Sequence, residues 1–264
     1  MRLICAGVTD VGVARDHNED NFYLSTIGEP ICVVADGMGG HKSGEVASEI
    51  AVNTIVQYYR DTIIDQDDEA AIRSGFKWPW RRKKPEDAAE RRLVQSLLCA
   101  NKSIFESAAS NELYRGMGTT IVAAYFMESG VYIAHIGDSR GYRLRESNLE
   151  LLTEDHSLAN EYVRMGILSP DDVEHFPYKN VVTRACGLAE EVEVEADFET
   201  VQDGDIFLFC SDGLTDCVND AGIREILMAN RNDLDEACAA LVDAANRNGG
   251  TDNITVILAQ TLLA

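Results

Sequence analysis

Ile31-Cys32-Val33-Val34-Ala35 constrains this chain more than any other stretch: five apolar residues in a row that stop at Asp36-Gly37-Met38-Gly39-Gly40. A strand with one wet face alternates apolar and polar residues, so an unbroken apolar run reads as a strand buried on both faces. Its end delivers an aspartate to the rim of a rigid sheet, just where glycines make the chain flexible.

The same local pattern recurs. Glu19 and Asp20 close Arg15-Asp16-His17-Asn18-Glu19-Asp20, ahead of a strand over Asn21–Ser25. Asp138 follows His135-Ile136-Gly137, Asp212 follows Phe209-Cys210-Ser211, and Asp252 follows Gly249-Gly250-Thr251. Any one Asp-Gly pair is a favoured turn. If all these rims coincide in space, however, the carboxylates cannot all stay ionised without a cation. Oxygen-only ligands favour Mg2+ or Mn2+ over zinc.

Further strands are expected over Leu3–Val8, Pro30–Ala35, Thr119–Phe126, Val131–Ile136, Arg140–Leu144, Val192–Phe198, Asp205–Cys210 and Asn253–Gln260. Ser43 caps a helix that carries Val46, Ile50, Thr54 and Ile55 on one face. Other helices are expected over Pro85–Ala109, His156–Met165, Pro170–His175, Ala221–Ala229 and Leu234–Arg247. Strand meanders with helices between them point to α+β layers. No repeat or linker divides the chain, which predicts one domain over residues 1–264. Composition shifts at about 61–92, an insertion whose basic aromatic loop, Arg73–Lys84, interleaves Phe76, Trp78 and Trp80. That loop reads either as solvated or as a docking patch for an acidic partner or anionic lipid.

Charge and cysteines narrow the classes. The 45 acidic against 23 basic residues leave a net charge of -22. Such an excess repels phosphate backbones, so no nucleic acid partner is expected and a nuclease is disfavoured. It suits hard divalent cations, and it serves solubility too. The seven cysteines are odd in number, lack CxxC spacing, and none is followed by arginine six positions on. This argues against a disulfide framework and a thiolate phosphatase loop, and for a reducing, cytoplasmic compartment. No apolar stretch nears the roughly 20 residues of a transmembrane helix, and Met1–Thr9 lacks a signal's apolar core.

Taken in order, Arg15–Asp20, Val34–His41, Gly116-Met117-Gly118-Thr119-Thr120, His135–Arg140, Cys210–Leu214 and Gly250–Asn253 resemble the motif set of the type 2C (PPM) protein serine/threonine phosphatases. The form Asp-Gly-Met-Gly-Gly-His at 36–41 resembles the bacterial branch, and the match runs from about Gly7 to Val256. The resemblance implies a four-layer αββα sandwich, two central antiparallel β-sheets flanked by helices, with the metal site at one end. It implies a phosphoprotein phosphatase acting on phosphoserine and phosphothreonine, on the substrates of a Ser/Thr kinase and on the kinase itself. It also implies two Mn2+ or Mg2+ ions and a weaker third.

By the same resemblance Asp36 bridges both ions, the Gly37 carbonyl ligates one, and Asp212 and Asp252 complete the second site. Asp20 is the steadier contributor of the Glu19–Asp20 pair, since the family varies at the place of Glu19. Asp138 joins Asp212 at the third ion, and Arg15 binds the substrate phosphate, its planar fork matching two oxygens. Two cations about 3.5–4 Å apart acidify the water they share, and the resulting hydroxide attacks phosphorus in line. No phosphoenzyme is needed, so Ser139 and Ser211 read as structural. Met38 stands where some members carry a histidine acid. His41, beyond the glycines, reads as a packing or turn residue, and metal-bound water is the alternative acid. Residues 155–186 fall where the family carries a variable flap. His17, His135, His156 and His175 show no metal-ligand spacing and read as structural. Gly39–Gly44 lacks the Lys-Ser/Thr pair of a phosphate-binding loop, because Glu45-Val46 follow. A catalytically silent relative serving as a binding module is the competing reading; the intact set Asp20, Asp36, Asp212 and Asp252 argues against it.

Overall fold

The structure is a computed structural model that describes residues 1–40, 43–62 and 88–263. In chain order the elements are β1 (Arg2–Asp10), β2 (Asp20–Ser25), β3 (Ile31–Met38), α1 (Ser43–Asp61), α2 (Ala88–Ser110), β4 (Gly118–Thr119), β5 (Ile121–Met127), β6 (Gly130–Ile136), β7 (Arg140–Arg145) and β8 (Asn148–Leu151). They continue with α3 (Leu158–Arg164), β9 (Glu195–Glu199), β10 (Ile206–Cys210), α4 (Asp212–Thr215), α5 (Asp220–Ala229), α6 (Leu234–Arg247) and β11 (Ile254–Leu262). One sheet runs β1-β11-β10-β7-β8, the other β2-β3-β5-β6-β9 with β4 paired to β3, and every pairing is antiparallel.

The period of two along each strand builds three apolar layers from these two sheets. On β3, Ile31, Val33 and Ala35 face α1 and α2, where they join Ile55, Leu93 and Leu97. Cys32 and Val34 face the other way, into an inter-sheet core with Phe126, Phe207, Phe209, Ile257 and Ala259. On β10 and β11 the opposite faces, Ile206, Leu208, Val256 and Leu258, pack on α5 and α6. The unbroken apolar runs are thus strands covered twice, and the expected helix–sheet–sheet–helix sandwich is the observed architecture.

Several local expectations are corrected. The core side of α1 is Ala47, Ala51, Ile55 and Tyr59; Val46, Ile50 and Thr54 are only half-buried. Small alanines let the helix lie close on the sheet, and the larger residues flank that contact. The strand expected over Thr119–Phe126 breaks at Thr120, whose N–H donates to the Asp36 carbonyl at 2.8 Å. The helix expected from His156 begins at Leu158, because Ser157 caps it by accepting from Asn160 N–H. Pro170–His175 is a 3-10 turn, and the strand expected from Val192 starts at Glu195. β8 had no sequence signal: Leu149 is half-buried and Leu151 exposed, so this edge strand lacks an apolar pattern. The helix expected from Pro85 is described from Ala88; His41 and the loop Arg73–Lys84 lie outside the described residues.

Candidate active site

Antiparallel pairing carries distant aspartates to one rim. Asp20 opens β2 and lies directly opposite Asp36 near the end of β3. In the facing sheet, Asp212 follows the end of β10 and Asp252 precedes the start of β11, and those two strands are neighbours. Asp138 leaves β6 beside them, and its charge is felt at both Asp36 and Asp212.

Hydroxyls hold the innermost carboxylate. Asp20 Oδ2 accepts from Ser211 Oγ at 2.8 Å and Thr255 Oγ1 at 2.7 Å. Since Thr255 spends its proton on Asp20, Thr9 Oγ1 donates to Thr255 at 2.7 Å, and Asn18 Nδ2 donates to Thr9 at 2.8 Å. Buried Asn253 pins the 11–19 loop: its Nδ2 donates to the Val11 and His17 carbonyls, and its Oδ1 accepts from Glu19 N–H. Arg15, half-exposed on that loop, donates to Asp252 Oδ2 at 2.6 Å. Gly37 packs so tightly that a Cβ there would fall 2.1 Å from the Gly44 carbonyl and 2.5 Å from that of Glu19. Ser139 Oγ is bonded to Thr120 Oγ1 at 2.6 Å, which fits its structural reading.

The carboxylates repel one another. Burial first, then the charges of Asp20, Asp212, Asp138 and Asp252, pushes Asp36 well above the usual carboxylate range. Burial and the charge of Asp138 do the same to Asp212. Asp20 is pushed up to about 6, by burial against the opposing pull of its two hydroxyl donors. Asp138 is also raised to about 6, by burial and by Asp155. Glu19 is raised by burial, with Arg15 opposing.

A hard cation fits this set. Asp20 Oδ1 and Asp212 Oδ1 are buried and have no hydrogen-bond partner. A buried carboxylate oxygen left without a donor is costly unless something positive meets it. Oxygen donors with no competing nitrogen or sulfur are the ligands that Mg2+ and Mn2+ take.

A second group of possible ligand atoms, on His135, His156 and Glu195, lies within 4.8 Å of one another. Its geometry is not that of a metal site. The rings stack 14° from parallel, so their lone pairs do not converge. His156 Nδ1 accepts from Gly137 N–H at 2.9 Å, and the Arg184 guanidinium stands 3.1 Å from Nε2. The reading of these histidines as structural stands.

Comparison with known proteins is decisive. A family model described as protein phosphatase 2C matches residues 13–259. The chain belongs to the protein phosphatase 2C family. Within that family, it is 40% identical over 254 residues to a protein named serine/threonine phosphatase stp from Listeria welshimeri, covering 96% of this chain and 93% of the relative. The crystal structure of the Mycobacterium tuberculosis serine/threonine phosphatase PstP/Ppp superposes with a TM-score of 0.83 at 30% identity, over 100% of both chains. A second neighbour, the catalytic domain of serine threonine protein phosphatase PstP in complex with 2 manganese ions, gives a TM-score of 0.80 at 31% identity over 99% of both chains.

Thr255, Thr9 and Asn18 were not legible as site residues. One signal existed: Thr255 interrupts the apolar strand Ile254–Leu258 yet is fully buried. A lone hydroxyl in such a run needs a polar partner.

Proposed function

We propose that this enzyme hydrolyses phosphoserine and phosphothreonine in proteins, using divalent cations held at the Asp36 rim. Metal dependence and phosphoprotein substrates follow from family membership, and they displace the reading of a silent binding module. The observation that carries the reading is the buried carboxylate set, whose orphaned oxygens and mutual repulsion have no purpose in a metal-free binding module.

In this reading Asp36, the Gly37 carbonyl, Asp20, Asp212 and Asp252 would hold the two cations, with Asp36 serving both. Glu19 contributes less directly, and Asp138 with Asp212 holds a weaker third. Bound divalent cations supply water activation near neutral pH and charge neutralisation at phosphorus. The hydroxyls of Ser211 and Thr255 keep Asp20 ionised and aimed, as donors to a carboxylate do. Arg15 commits one nitrogen to Asp252 and has donors left to orient the phosphate oxygens of a substrate. Two Mn2+ ions are the expected load, supported by the manganese-bound PstP neighbour.

Among the described residues no helix is long and apolar enough to cross a membrane. All seven cysteines are unpaired, which supports a reducing cytoplasm. The one domain spans residues 1–264, and its partners are phosphoproteins, among them the substrates of a Ser/Thr kinase and that kinase. Docking through Arg73–Lys84 fails as an idea if deleting Gly75–Lys84 changes no partner or lipid binding. The deciding assay offers phospho-Ser, phospho-Thr and phospho-Tyr peptides with and without Mn2+ or Mg2+. Release from the first two only when cation is added is expected; none with any cation sinks the reading.

A further inference from the structure

The two ends of the 155–186 segment are tied to the backbone that carries the site aspartates. At its far end Cys186 exchanges both backbone hydrogen bonds with Thr119, at 3.0 and 2.8 Å, and Thr119 Oγ1 donates to the Asp36 carbonyl at 2.8 Å. At its near end stands His156, which is buried. Its N–H donates to the Gly137 carbonyl at 3.0 Å, and its ring Nδ1 accepts from Gly137 N–H at 2.9 Å. Its own carbonyl accepts from Thr183 N–H at 2.8 Å, and Leu158 N–H donates to the Val181 carbonyl at 2.9 Å. One residue therefore grips both strands of the segment's root and the backbone immediately before Asp138.

Gly137 leaves no slack in this grip. Its φ is +105°, and a Cβ would fall 2.6 Å from Thr120. It is held between Thr120 on one side and the His156 ring on the other. The ring's orientation is determined as well. Because Nδ1 accepts, the proton is assigned to Nε2, which faces Glu195 Oε1 at 3.1 Å; the Arg184 guanidinium, also 3.1 Å from Nε2, then turns its own donor to Glu195 Oε1 at 3.2 Å. His135 stacks on the ring at 4.7 Å and anchors its own Nε2 on the Glu154 carbonyl at 2.9 Å. Burial, with the nearby His135 and Arg184, lowers the His156 pKa to about 4, so Nδ1 remains a bare acceptor at neutral pH.

We infer that His156 is a positioning residue, a neutral clasp that fixes the Gly137–Asp138 backbone to the root of the 155–186 segment and so serves phosphopeptide substrates more than small phosphomonoesters. The segment is rooted beside the carboxylate rim, so a phosphopeptide, which extends beyond its phosphate, has reason to meet it where a small aryl phosphate does not. The kinetic half rests on the proposed function; the structural half does not.

Two measurements on metal-free protein test the clasp without any activity. Imidazole nitrogen spectra of the wild type are expected to show Nδ1 bare and Nε2 protonated; the opposite tautomer overturns the inference. In His156→Phe the Gly137 amide is expected to exchange about tenfold faster, the equivalent of one lost hydrogen bond. His156→Asn, which keeps an acceptor near the Nδ1 position, should restore most of the protection. Unchanged Gly137 exchange in the Phe variant overturns the clasp, and the wild-type spectra decide even if that variant does not fold. With Mn2+, His156→Phe is expected to raise KM for a phosphopeptide severalfold more than it raises KM for an aryl phosphate, and His156→Asn to reverse this. Equal losses on both substrates overturn the substrate half. A wild type inactive with every cation sinks the proposed function, while the tautomer and exchange results still judge the clasp.

Discussion

Strand β10 has an aspartate just beyond each end, and the two live in opposite circumstances. Asp205, before its first residue, is 1% exposed and fully answered: Arg145 Nε and Nη2 reach its two oxygens at 2.9 and 2.7 Å, and Gln202 N–H adds a third bond at 2.7 Å. Asp212, after its last residue, meets Asp36, Asp138 and Asp252 instead, and its Oδ1 meets nothing. The chain neutralises its own charge at one end of the strand and leaves carboxylate oxygen unanswered at the other, where the proposed function puts a cation. Self-neutralised charge is stability; unneutralised charge held in place is a binding site.

The sharpest way to break this contrast is to neutralise the crowded end. Asp36→Asn keeps the shape and removes the shared charge. Mn2+-dependent phosphate release should fall on the order of a thousandfold, about 4 kcal/mol at the barrier. The melting temperature of the metal-free protein should stay level or rise, because a repelled buried charge has gone. A metal-free Asp36→Asn that melts well below the wild type would contradict the picture of the rim as strained.

The same substitution at the paired end should do the reverse. Asp205→Asn leaves Arg145 without its bidentate partner, a loss of about 3 kcal/mol in stability, or roughly 6–12 °C in melting temperature. Activity per folded molecule should be untouched. If Asp205→Asn melts within a degree of the wild type, pairing at that end is decoration.

Acid probes the crowded end. Asp20 and Asp138 hold their protons up to about pH 6 in the folded chain, against an ordinary value near 3.8. Between those values the folded state binds more protons than the unfolded, so stability falls as pH rises through the window and returns as pH falls. Metal-free protein should therefore be more stable at pH 5.5 than at pH 8, by about 1 kcal/mol per carboxyl. Saturating Mn2+ should reverse the trend, because cation and proton compete for the same oxygens. Calorimetry across pH with and without Mn2+ reads both signs; parallel curves would exclude the competition.

Much of this contrast was legible in the chain, and the reasons are local. The doubly buried run Ile31–Ala35 predicted a strand between two layers, and the sandwich has it there. Asp36, Asp138 and Asp212 each adjoin a glycine at or near a strand end, a pattern written within a few residues of each, although β3 runs on to Met38 where a flexible turn was expected from Asp36. What was not legible depends on partners far off in sequence. Thr255 serves Asp20 across 235 positions, and Asn253 serves the Val11 carbonyl across 242. Arg145 and Asp205 look like ordinary charges until β7 and β10 pair. β8 escaped because an edge strand with one half-buried leucine has no face to advertise.

Thr255 gives the smallest and most discriminating test. Thr255→Val is isosteric, removes the donor to Asp20 Oδ2, and leaves the Thr9 hydroxyl without its acceptor. Ser211 still donates to the same oxygen, so Asp20 keeps half its support. The stability cost should be about 1 kcal/mol, that of one buried hydrogen bond. Mn2+ affinity should weaken about tenfold, as when an orienting partner behind a metal ligand is lost. At saturating Mn2+ the kcat should return to within about twofold of the wild type, since every carboxylate is still present. Thr9→Val, one hydroxyl further out, should show the same pattern more weakly. A Thr255→Val enzyme that saturates with cation normally but turns over as poorly as Asp36→Asn would instead place the hydroxyl itself in the chemistry, and would move the boundary between the charged rim and the scaffold that supports it.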